Sequence, residues 1–485
     1  MASVKNNIIL NGINTLTGIL FPVITFPYAA RVLLPDGIGA INFLNSIIGY
    51  IVLFTSLGIP MYAVREVAKY RDDKASRDKI TIEIFLLSAN LCLLGYFIVW
   101  VLAEYVPQIH RQASLFYILS LTILFTTIGV NWFYQGIEDF KFITIRAIVI
   151  RTMAAAALFI FVHDSSDLLI YGIIIVGSTV GNNFINFIYL RKHIGFSVVS
   201  EIELSGIFRH LFPSVKVFVL NIIISLYVQL NPVMLGFMTN DEQVGYYSAG
   251  IKITHVAITV ITSIGAVLLP RCSTLVSKND MESFSQIIHK SINTTMAISL
   301  PLIVGLLVLA VPITELFCGH EFMPSIPVLY LNAPIIIFMT LSNLMVVQIL
   351  YPLDKVRISV IGVSAGALIN IILNLLFVPE LGATGAALSV FFAEIAVFIM
   401  LLILGKAFYP FKLSVFVYPK YFFAALIMGL AVYCVTFISH SYLFQVLLGF
   451  IVGLITYALL LIVFKDPLIL ESIKMVSGRI CHKTH

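Results

Sequence analysis

Long apolar runs separated by short polar loops recur along the whole chain. Three of them, Asn6–Ala30, Gly37–Val64 and Phe322–Leu353, contain no Asp, Glu, Lys or Arg at all. A helix needs about 20 apolar residues to cross the hydrocarbon layer of a bilayer, and each of these runs is longer than that. The pattern therefore predicts an all-α integral membrane protein.

The apolar runs predict a definite number of crossings. We predict 14 transmembrane helices, near residues 8–33, 38–60, 80–103, 115–134, 147–163, 168–190, 212–238, 246–270, 291–312, 327–350, 358–379, 383–404, 419–438 and 443–464. The expected domains are an N-lobe with linker (1–205, helices 1–6), a C-lobe (206–410, helices 7–12) and a final segment (411–485) with helices 13 and 14 and a tail.

A weak internal repeat supports the two six-helix lobes. Pro27–Gly39 and Pro232–Gly245 each join a proline-containing helix to the next one, and the prolines Pro60 and Pro270 each precede an Arg-bearing loop. Repeated halves around a midplane site are common in transporters. Any two proline-containing helices share part of this pattern, which is the alternative. Because proline removes a backbone donor, we expect bends or breaks in helices 1 and 7 and a cavity beside them.

Charge sets the orientation of the spans. Only 11% of the residues are charged and 60% are hydrophobic, whereas soluble domains carry about 25% charged residues. Of the 29 Lys and Arg residues, 26 fall in alternate loops, at the helix ends that face them or in the tail; the exceptions are Arg31, Arg111 and Lys252. Positive residues are retained on the cytoplasmic side, so both termini are predicted to be cytoplasmic. The net charge of +5 thus reflects membrane topology and does not indicate nucleic-acid binding.

Enzyme, cofactor and metal signatures are not found in the sequence. The five cysteines and ten histidines show no metal-ligand spacing and no disulfide framework. No P-loop, dinucleotide fingerprint or catalytic-triad cluster is present. We therefore expect no cofactor, no metal site and no catalytic residue.

Several segments carry a family resemblance. Phe26–Gly39, followed by Ser56–Pro60 and Arg65–Ala68, resembles the beginning of Wzx-type polysaccharide flippases. These belong to the multidrug/oligosaccharidyl-lipid/polysaccharide (MOP, MATE-like) exporter superfamily. The segments that resemble its helices 11 and 12 are Asn370–Asn374, Pro379–Ala387 and Glu394. The resemblance spans nearly the whole chain and implies the same plan of two six-helix lobes plus two helices.

The resemblance also implies a function. It implies that a polyprenyl-diphosphate-linked oligosaccharide, a repeat unit of O-antigen, capsule or exopolysaccharide, crosses from the inner to the outer leaflet of a bacterial cytoplasmic membrane. The expected mechanism is alternating access of the two lobes, with H⁺ or Na⁺ coupling and a groove for the lipid tail at helices 13 and 14. Membrane lipids, a polysaccharide polymerase and glycosyltransferases are the expected partners.

A sugar diphosphate needs a hydrated, cationic route, because its charges and hydroxyls would otherwise lose water without replacement. Ionisable residues inside spans are therefore candidate substrate-binding residues. Arg31 and Lys252 both break the charge pattern, although the stem of Arg31 would also let it reach the outer headgroups. Lys216 would complete the set, but it lies at an inner helix end, where positive residues belong.

Other polar positions within spans have two readings each. Glu394, near the middle of helix 12, is either the ion-coupling residue or a structural hydrogen-bonding group. Asn42 and Asn231 would extend the substrate site or, alternatively, hydrogen-bond between helices.

Three other functions would each require particular residues. A multidrug exporter of the same superfamily would need acidic cavity residues for cationic drugs. A flippase for the peptidoglycan precursor handles the same diphosphate and carrier, so charge alone does not separate it. A membrane glycosyltransferase or polymerase would need carboxylates or histidines near a large outer loop, which the predicted boundaries do not provide.

Overall fold

The computed structural model describes residues 4–195, 202–408, 419–468 and 470. Nearly all of these residues are helical. The helices are Val4–Ser56 (α1), Ile59–Lys69 (α2), Lys74–Tyr105 (α3), Pro107–His110 (α4), Ala113–Ile128 (α5), Asn131–Gly136 (α6), Phe140–Phe161 (α7), Leu168–Leu190 (α8), Leu204–Phe208 (α9), Leu211–Met238 (α10), Asp241–Ser277 (α11), Met281–Val308 (α12), Ala310–Phe317 (α13), Ile326–Asn332 (α14), Ile335–Leu344 (α15), Val356–Gly405 (α16), Pro419–Thr436 (α17) and Tyr442–Val463 (α18).

Many of these helices suit a bilayer. Within the described residues, ten helices are long and apolar enough to span a membrane, or eleven when His320–Asn332 and Ile335–Leu350, bent by 49°, count as one span. The predicted multi-pass helical membrane protein is therefore confirmed. The total of 14 spans exceeds this count and stays a prediction.

Two of the helices are too long for one crossing. α1 has 53 residues, about 80 Å at 1.5 Å per residue. Its backbone leaves the helical region at Leu34 (φ 61°, ψ 173°), because the proline ring of Pro35 disfavours helical geometry in the residue before it. α16 has 50 residues and breaks at Gly382 (φ 53°), a conformation that glycine adopts without steric cost. Each break lies between two helices predicted as separate spans.

The expected proline breaks are not where the sequence placed them. Pro22 and Pro27 lie inside α1, whose non-helical residue is Leu34. Pro232 likewise lies inside the continuous helix α10. Neighbouring helices in a membrane protein can compensate for the missing donor, so proline need not end a span.

Aspartates fix the starts of three helices. The side chains of Asp73, Asp139 and Asp280 accept hydrogen bonds from backbone amides in the first turns of α3, α7 and α12. Such caps satisfy donors that a helix leaves unpaired at its N-terminus. They determine where these helices begin.

The chain divides into two compact units, Met1–Ser248 and Ala249–His485. The first unit contains α1 to α10 and the first residues of α11, and the second contains the remainder. The three predicted domains, 1–205, 206–410 and 411–485, stay a prediction. The boundary between the second and the third lies outside the described residues.

A buried polar cluster joins α2 and α3 to the segment before α10. Glu83 is 1% exposed and His210 3%. The Glu83 carboxylate accepts hydrogen bonds from Arg209 Nη2 at 2.5 Å and from His210 Nε2 at 3.0 Å, while the hydroxyl of Tyr62 donates to His210 Nδ1 at 2.7 Å. A neutral imidazole protonated at Nε2 satisfies both contacts.

The cluster predicts a pH dependence of stability. Burial lowers the pKa of His210, whereas an unfolded histidine takes up a proton near about pH 6.5. The unfolded chain therefore binds more protons, and the free energy of unfolding decreases as pH falls through that value. We expect the melting temperature to drop between about pH 7.5 and 5.5, and to drop less in His210→Gln. His163→Gln, at an exposed position, is the control; equal drops in wild type and His210→Gln would contradict the assignment.

Candidate functional site

One face of α11 carries a polar stripe within a membrane-spanning helix. Lys252, His255, Thr259 and Ser263 follow one another at three- and four-residue spacing, and all four side chains are exposed or half-buried. Residues at this spacing share one helix face. Because α11 begins at Asp241, Lys252 lies 11 residues, or about 16 Å, along the helix, which is deeper than the sequence predicted. Such a stripe suits a hydrated cavity better than lipid.

Arg31 occupies an accessible face of α1. Its side chain is exposed, and it lies three residues before the break at Leu34. The neighbouring residues Phe26, Ala29 and Ala30 are buried. Arg31 therefore lies at the surface of the described helices, whereas these neighbours are packed inside.

The other three positions predicted to bind substrate differ in surroundings. Lys216 is exposed, near the start of α10, with its ammonium 4.6 Å from the ring centroid of Phe212. Asn42 is half-buried and donates to the carbonyl oxygen of Ile38 at 2.8 Å, which leaves its own side-chain oxygen available to accept. Asn231 is buried in α10. These positions and Arg31 belong to the first unit, whereas Lys252 and Glu394 belong to the second; one shared binding site stays a prediction.

Glu394 is buried where the two halves of α16 pack together. A Cβ at Gly366, in the first half, would lie 3.3 Å from the carbonyl oxygen of Ala393, the residue before Glu394. Asn370 and Asn374 are fully buried in the first half, and the Asn374 amide donates to Asn370 Oδ1 at 3.0 Å. The carboxyl group therefore belongs to a segment that carries several buried polar side chains.

Two intramembrane cations were missed by the sequence analysis, which counted them on the cytoplasmic side. α7 begins at Phe140 rather than near residue 147, so Arg146 and Arg151 lie within the span. Arg146 donates to Asn182 Oδ1 at 3.1 Å and to Asn131 Oδ1 at 3.3 Å. Arg151 contacts α1, where it donates to the carbonyl oxygen of Asn14 at 2.9 Å and to the hydroxyl of Thr17 at 2.7 Å.

Within the first unit, the residues that follow the break in α1 meet the beginning of α11. We call this contact the outer seal, because the sequence predicts both segments on the outer side of the membrane. It consists of Gly39 against Asp241 and Gly245 against Pro35. A Cβ at either glycine would overlap a backbone carbonyl oxygen, that of Asp241 or that of Pro35. Glycine is required here because the two backbones approach each other directly. Gln112 Nε2 adds a hydrogen bond of 2.6 Å to the Asp241 carboxylate.

The second unit contains a large apolar groove between α12, α17 and α18. Its volume is about 660 Å³, and on α12 its lining runs from Lys290 to Leu306, about 24 Å along the helix axis. Met428 and Val432 of α17 and Leu454 of α18 contribute to the other walls. Helices 13 and 14 of the sequence analysis correspond to α17 and α18. The groove is long enough to accommodate an extended hydrocarbon chain.

Solved structures share this fold. The chain matches the lipid II flippase MurJ in its inward closed conformation with a TM-score of 0.75 and 18% sequence identity, covering 95% of this chain and 100% of that one. It also matches the inward-facing conformation of a multidrug resistance MATE family transporter of the MOP superfamily, with a TM-score of 0.66 and 15% identity, over 83% of this chain and 97% of that one. The MOP-type fold expected from the resemblance is thereby confirmed.

Sequence comparison identifies the family. A candidate O-antigen transporter of Escherichia coli (strain K12) is 25% identical over 397 residues, which is 81% of this chain and 94% of that protein. Residues 4–276 match the protein family described as "Polysaccharide biosynthesis protein". The match covers more than half of the chain, and it includes the segments around Phe26–Gly39 that carry the resemblance. The chain is thus a member of the polysaccharide biosynthesis protein family, with the fold of the MOP superfamily.

Proposed function

We propose that this protein is a flippase that moves a polyprenyl-diphosphate-linked oligosaccharide from the inner to the outer leaflet. The observation that carries the proposal is that the second unit contains both a polar stripe, on α11, and a large apolar groove between α12, α17 and α18. A ligand that uses both needs an anionic or sugar-bearing head and a long apolar tail. Lipid-linked oligosaccharides have this chemistry, and O-antigen transport is what the relative from Escherichia coli is named for.

The head of the substrate would be bound by Arg31 and Lys252. Arg31 offers a planar guanidinium that bonds phosphate bidentately, and Lys252 offers a point charge within the span. Asn42 and Asn231 would contact sugar hydroxyls, and Lys216 would receive the diphosphate near the inner end of α10. The apolar groove would hold the tail, which therefore never leaves an apolar environment.

Transport would proceed by alternating access between two lobes of six helices, with 14 spans in total. The positive-inside pattern supports a bacterial cytoplasmic membrane with both termini in the cytoplasm. In this orientation the outer seal lies on the external side, so a state with the seal formed is closed to the outside. Release of the head requires the seal to separate.

Glu394 would couple transport to H⁺ or Na⁺. Its buried position in α16 gives a carboxyl group whose charge state matters to helix packing, because removing a carboxylate from water is costly and the cost depends on the groups that surround it. Protonation or ion binding there would change the relative stability of two conformations.

The charge of the candidate binding residues distinguishes the proposed substrate from a cationic drug but not from a peptidoglycan precursor. A peptidoglycan precursor shares the diphosphate and the carrier, so it is a second candidate that only substrate assays separate. A cationic drug is disfavoured, since Arg31 and Lys252 would repel it. A polymerase and glycosyltransferases would consume and supply the lipid-linked unit on the two sides of the membrane.

Deletion of the gene in its native host tests the proposal. We expect surface polysaccharide to be lost and lipid-linked repeat units to accumulate on the cytoplasmic leaflet, with both effects reversed by the intact chain. Normal surface polymer in the deletion strain, with no second flippase present, would refute the proposal.

The groove makes a separate prediction. Gly305 lines it, and a Cβ there meets nothing within 4 Å, so a side chain can start at this position and the indole ring of Gly305→Trp would occupy part of the groove. If the Trp ring displaces two methylene groups of the lipid tail from the groove, the free energy of tail binding weakens by about 1.6 kcal/mol. Polysaccharide export should then fall about tenfold. Gly177→Trp is the matched control, because a Cβ there also meets nothing within 4 Å and the residue lies on α8. Equal export from both variants would show that the groove does not bind the tail.

A further inference from the structure

A small polar cavity lies inside the second unit, next to the apolar groove, with which it shares only Thr294 among the described lining residues. None of the residues assigned to substrate lines it. It is enclosed by α11, α12, α15 and the π-helical turn Met345–Leu350 that follows α15. Its volume is about 10 Å³, which is room for one water-sized sphere. Its polar lining residues are Thr262, Ser291, Thr294, Thr295, Thr340, Asn343 and Gln348. No charged side chain is among its described lining residues.

The hydroxyl groups of the cavity mostly present lone pairs to it. Thr262, Thr294 and Thr340 donate their protons to backbone carbonyl oxygens one turn earlier in their own helices, at 3.0, 2.8 and 2.6 Å. A hydroxyl has one proton and two lone pairs. Because these three hydroxyl protons are donated to backbone carbonyl oxygens, each threonine hydroxyl can offer the cavity only its lone pairs. These hydroxyl oxygens are therefore hydrogen-bond acceptors at the cavity.

Two buried groups at the cavity have no hydrogen-bond partner within the described structure. They are the hydroxyl of Ser291, a residue 5% exposed, and the Oε1 atom of Gln348, 3% exposed. Leaving such groups unpaired is costly in a protein interior. Gln348 lies in a π-helical turn, Met345–Leu350, a local widening of the helix that is frequent at functional sites. The Oε1 atom of Gln348 and the lone pairs of the Ser291 hydroxyl are thus two buried oxygen positions that can bind a cation.

We propose that this cavity binds a single monovalent cation, Na⁺. Neutral oxygens replace the hydration shell of monovalent cations in other membrane proteins, and irregular helix segments supply such oxygens in transporters. A divalent ion is disfavoured because it dehydrates reluctantly and takes carboxylate ligands. Lys290 is adjacent to Ser291 in sequence, but its side chain is exposed and lines the groove. It is not among the residues that line the cavity.

The first unit holds a related cavity that serves as an internal comparison. It is about 30 Å³ and is lined by Thr55, Ser56, Ser88, Thr126 and Thr127, among others. The hydroxyls of Thr55, Ser88 and Thr127 also donate to their own helices. Its lining contains no amide side chain, whereas the cavity in the second unit has Asn343 and Gln348. The cation site is therefore assigned to the second unit alone.

Binding of radiolabelled Na⁺ to the purified full-length protein tests the proposal, with choline as the inert cation. We expect saturable binding of one ion. Ser291→Ala and Gln348→Leu should each weaken it about tenfold, the effect of losing a hydrogen-bonding group to a charge. Gln348→Glu should strengthen it, because a carboxylate attracts the cation more strongly than an amide. Ser277→Ala, at the exposed C-terminal end of α11, and Thr127→Val, in the comparison cavity, should bind Na⁺ as wild type does.

Three results would overturn the proposal. The first is the absence of saturable Na⁺ binding to well-folded protein, which would mean that the cavity holds only water. The second is unchanged affinity in both Ser291→Ala and Gln348→Leu. The third is loss of binding in Glu394→Gln together with full binding in Gln348→Leu, which would place the ion elsewhere. Ser291→Ala removes a single oxygen atom, so it remains informative if Gln348→Leu does not fold.

Discussion

Simultaneous replacement of Arg31 and Lys252 with Ala is expected to abolish polysaccharide export. Each side chain would contribute a hydrogen bond to a charged diphosphate, and such bonds contribute about 1.5–3 kcal/mol. Each single variant should therefore reduce export about tenfold to a hundredfold, and the double variant more. The measurement is surface polysaccharide in the deletion strain carrying each variant, normalised to the amount of protein in the membrane.

Matched variants separate the role of charge from that of shape. Arg31→Lys keeps the charge but loses the bidentate geometry, so it should retain part of the export. Arg111→Ala removes an exposed cation on the same predicted side of the membrane, outside the spanning helices, and should export normally. Wild-type export by the double variant would reject both binding assignments.

The second large effect is expected at the outer seal. The methyl group of Gly245→Ala would overlap the carbonyl oxygen of Pro35, and that of Gly39→Ala would overlap the carbonyl oxygen of Asp241. Because the obstacle is backbone, no side-chain rotation relieves the overlap, and such overpacking costs about 1–3 kcal/mol. The sealed state should lose roughly tenfold or more of its population, and export should fall with it.

Cysteine labelling reports on the seal directly. Ala40 is 1% exposed, so a cysteine at this position, in a background without the native cysteines, should react slowly with a membrane-impermeant maleimide added from outside. Gly245→Ala should accelerate this reaction. Gly177→Ala, at a site where a Cβ meets nothing within 4 Å, should leave it unchanged. Equal labelling rates in all three proteins would show that the two glycines do not control access.

Hydrophobic runs predicted the existence of most helices, but several of their boundaries depend on features that hydropathy ignores. α11 begins at Asp241 rather than near residue 246, because acidic residues are favourable in the first turn of a helix. That shift places Lys252 deeper than expected. His255 was missed, although its position three residues after Lys252 and four before Thr259 was visible as helical periodicity.

Contacts between distant parts of the chain were not predictable from one sequence. Arg146 and Arg151 were assigned to a cytoplasmic loop and the helix end that faces it, because their partners, Asn182 and Asn14, are far away along the chain. The outer seal and the polar cavity likewise depend on which backbones meet in space. The sequence did indicate the groove at helices 13 and 14, while its third wall, α12, became visible only in the structure.

Movement of a lipid-linked oligosaccharide between leaflets is the most direct measurement of the central claim. Purified protein is reconstituted in liposomes that carry a polyprenyl-diphosphate-linked glycan or the peptidoglycan precursor, and an impermeant glycan-modifying enzyme reports the fraction exposed outside. We predict that the intact chain exposes the inner-leaflet pool of the polysaccharide repeat unit and that the Arg31/Lys252 double Ala variant does not. Exposure no faster than in protein-free liposomes, for every lipid-linked glycan supplied, would contradict the account.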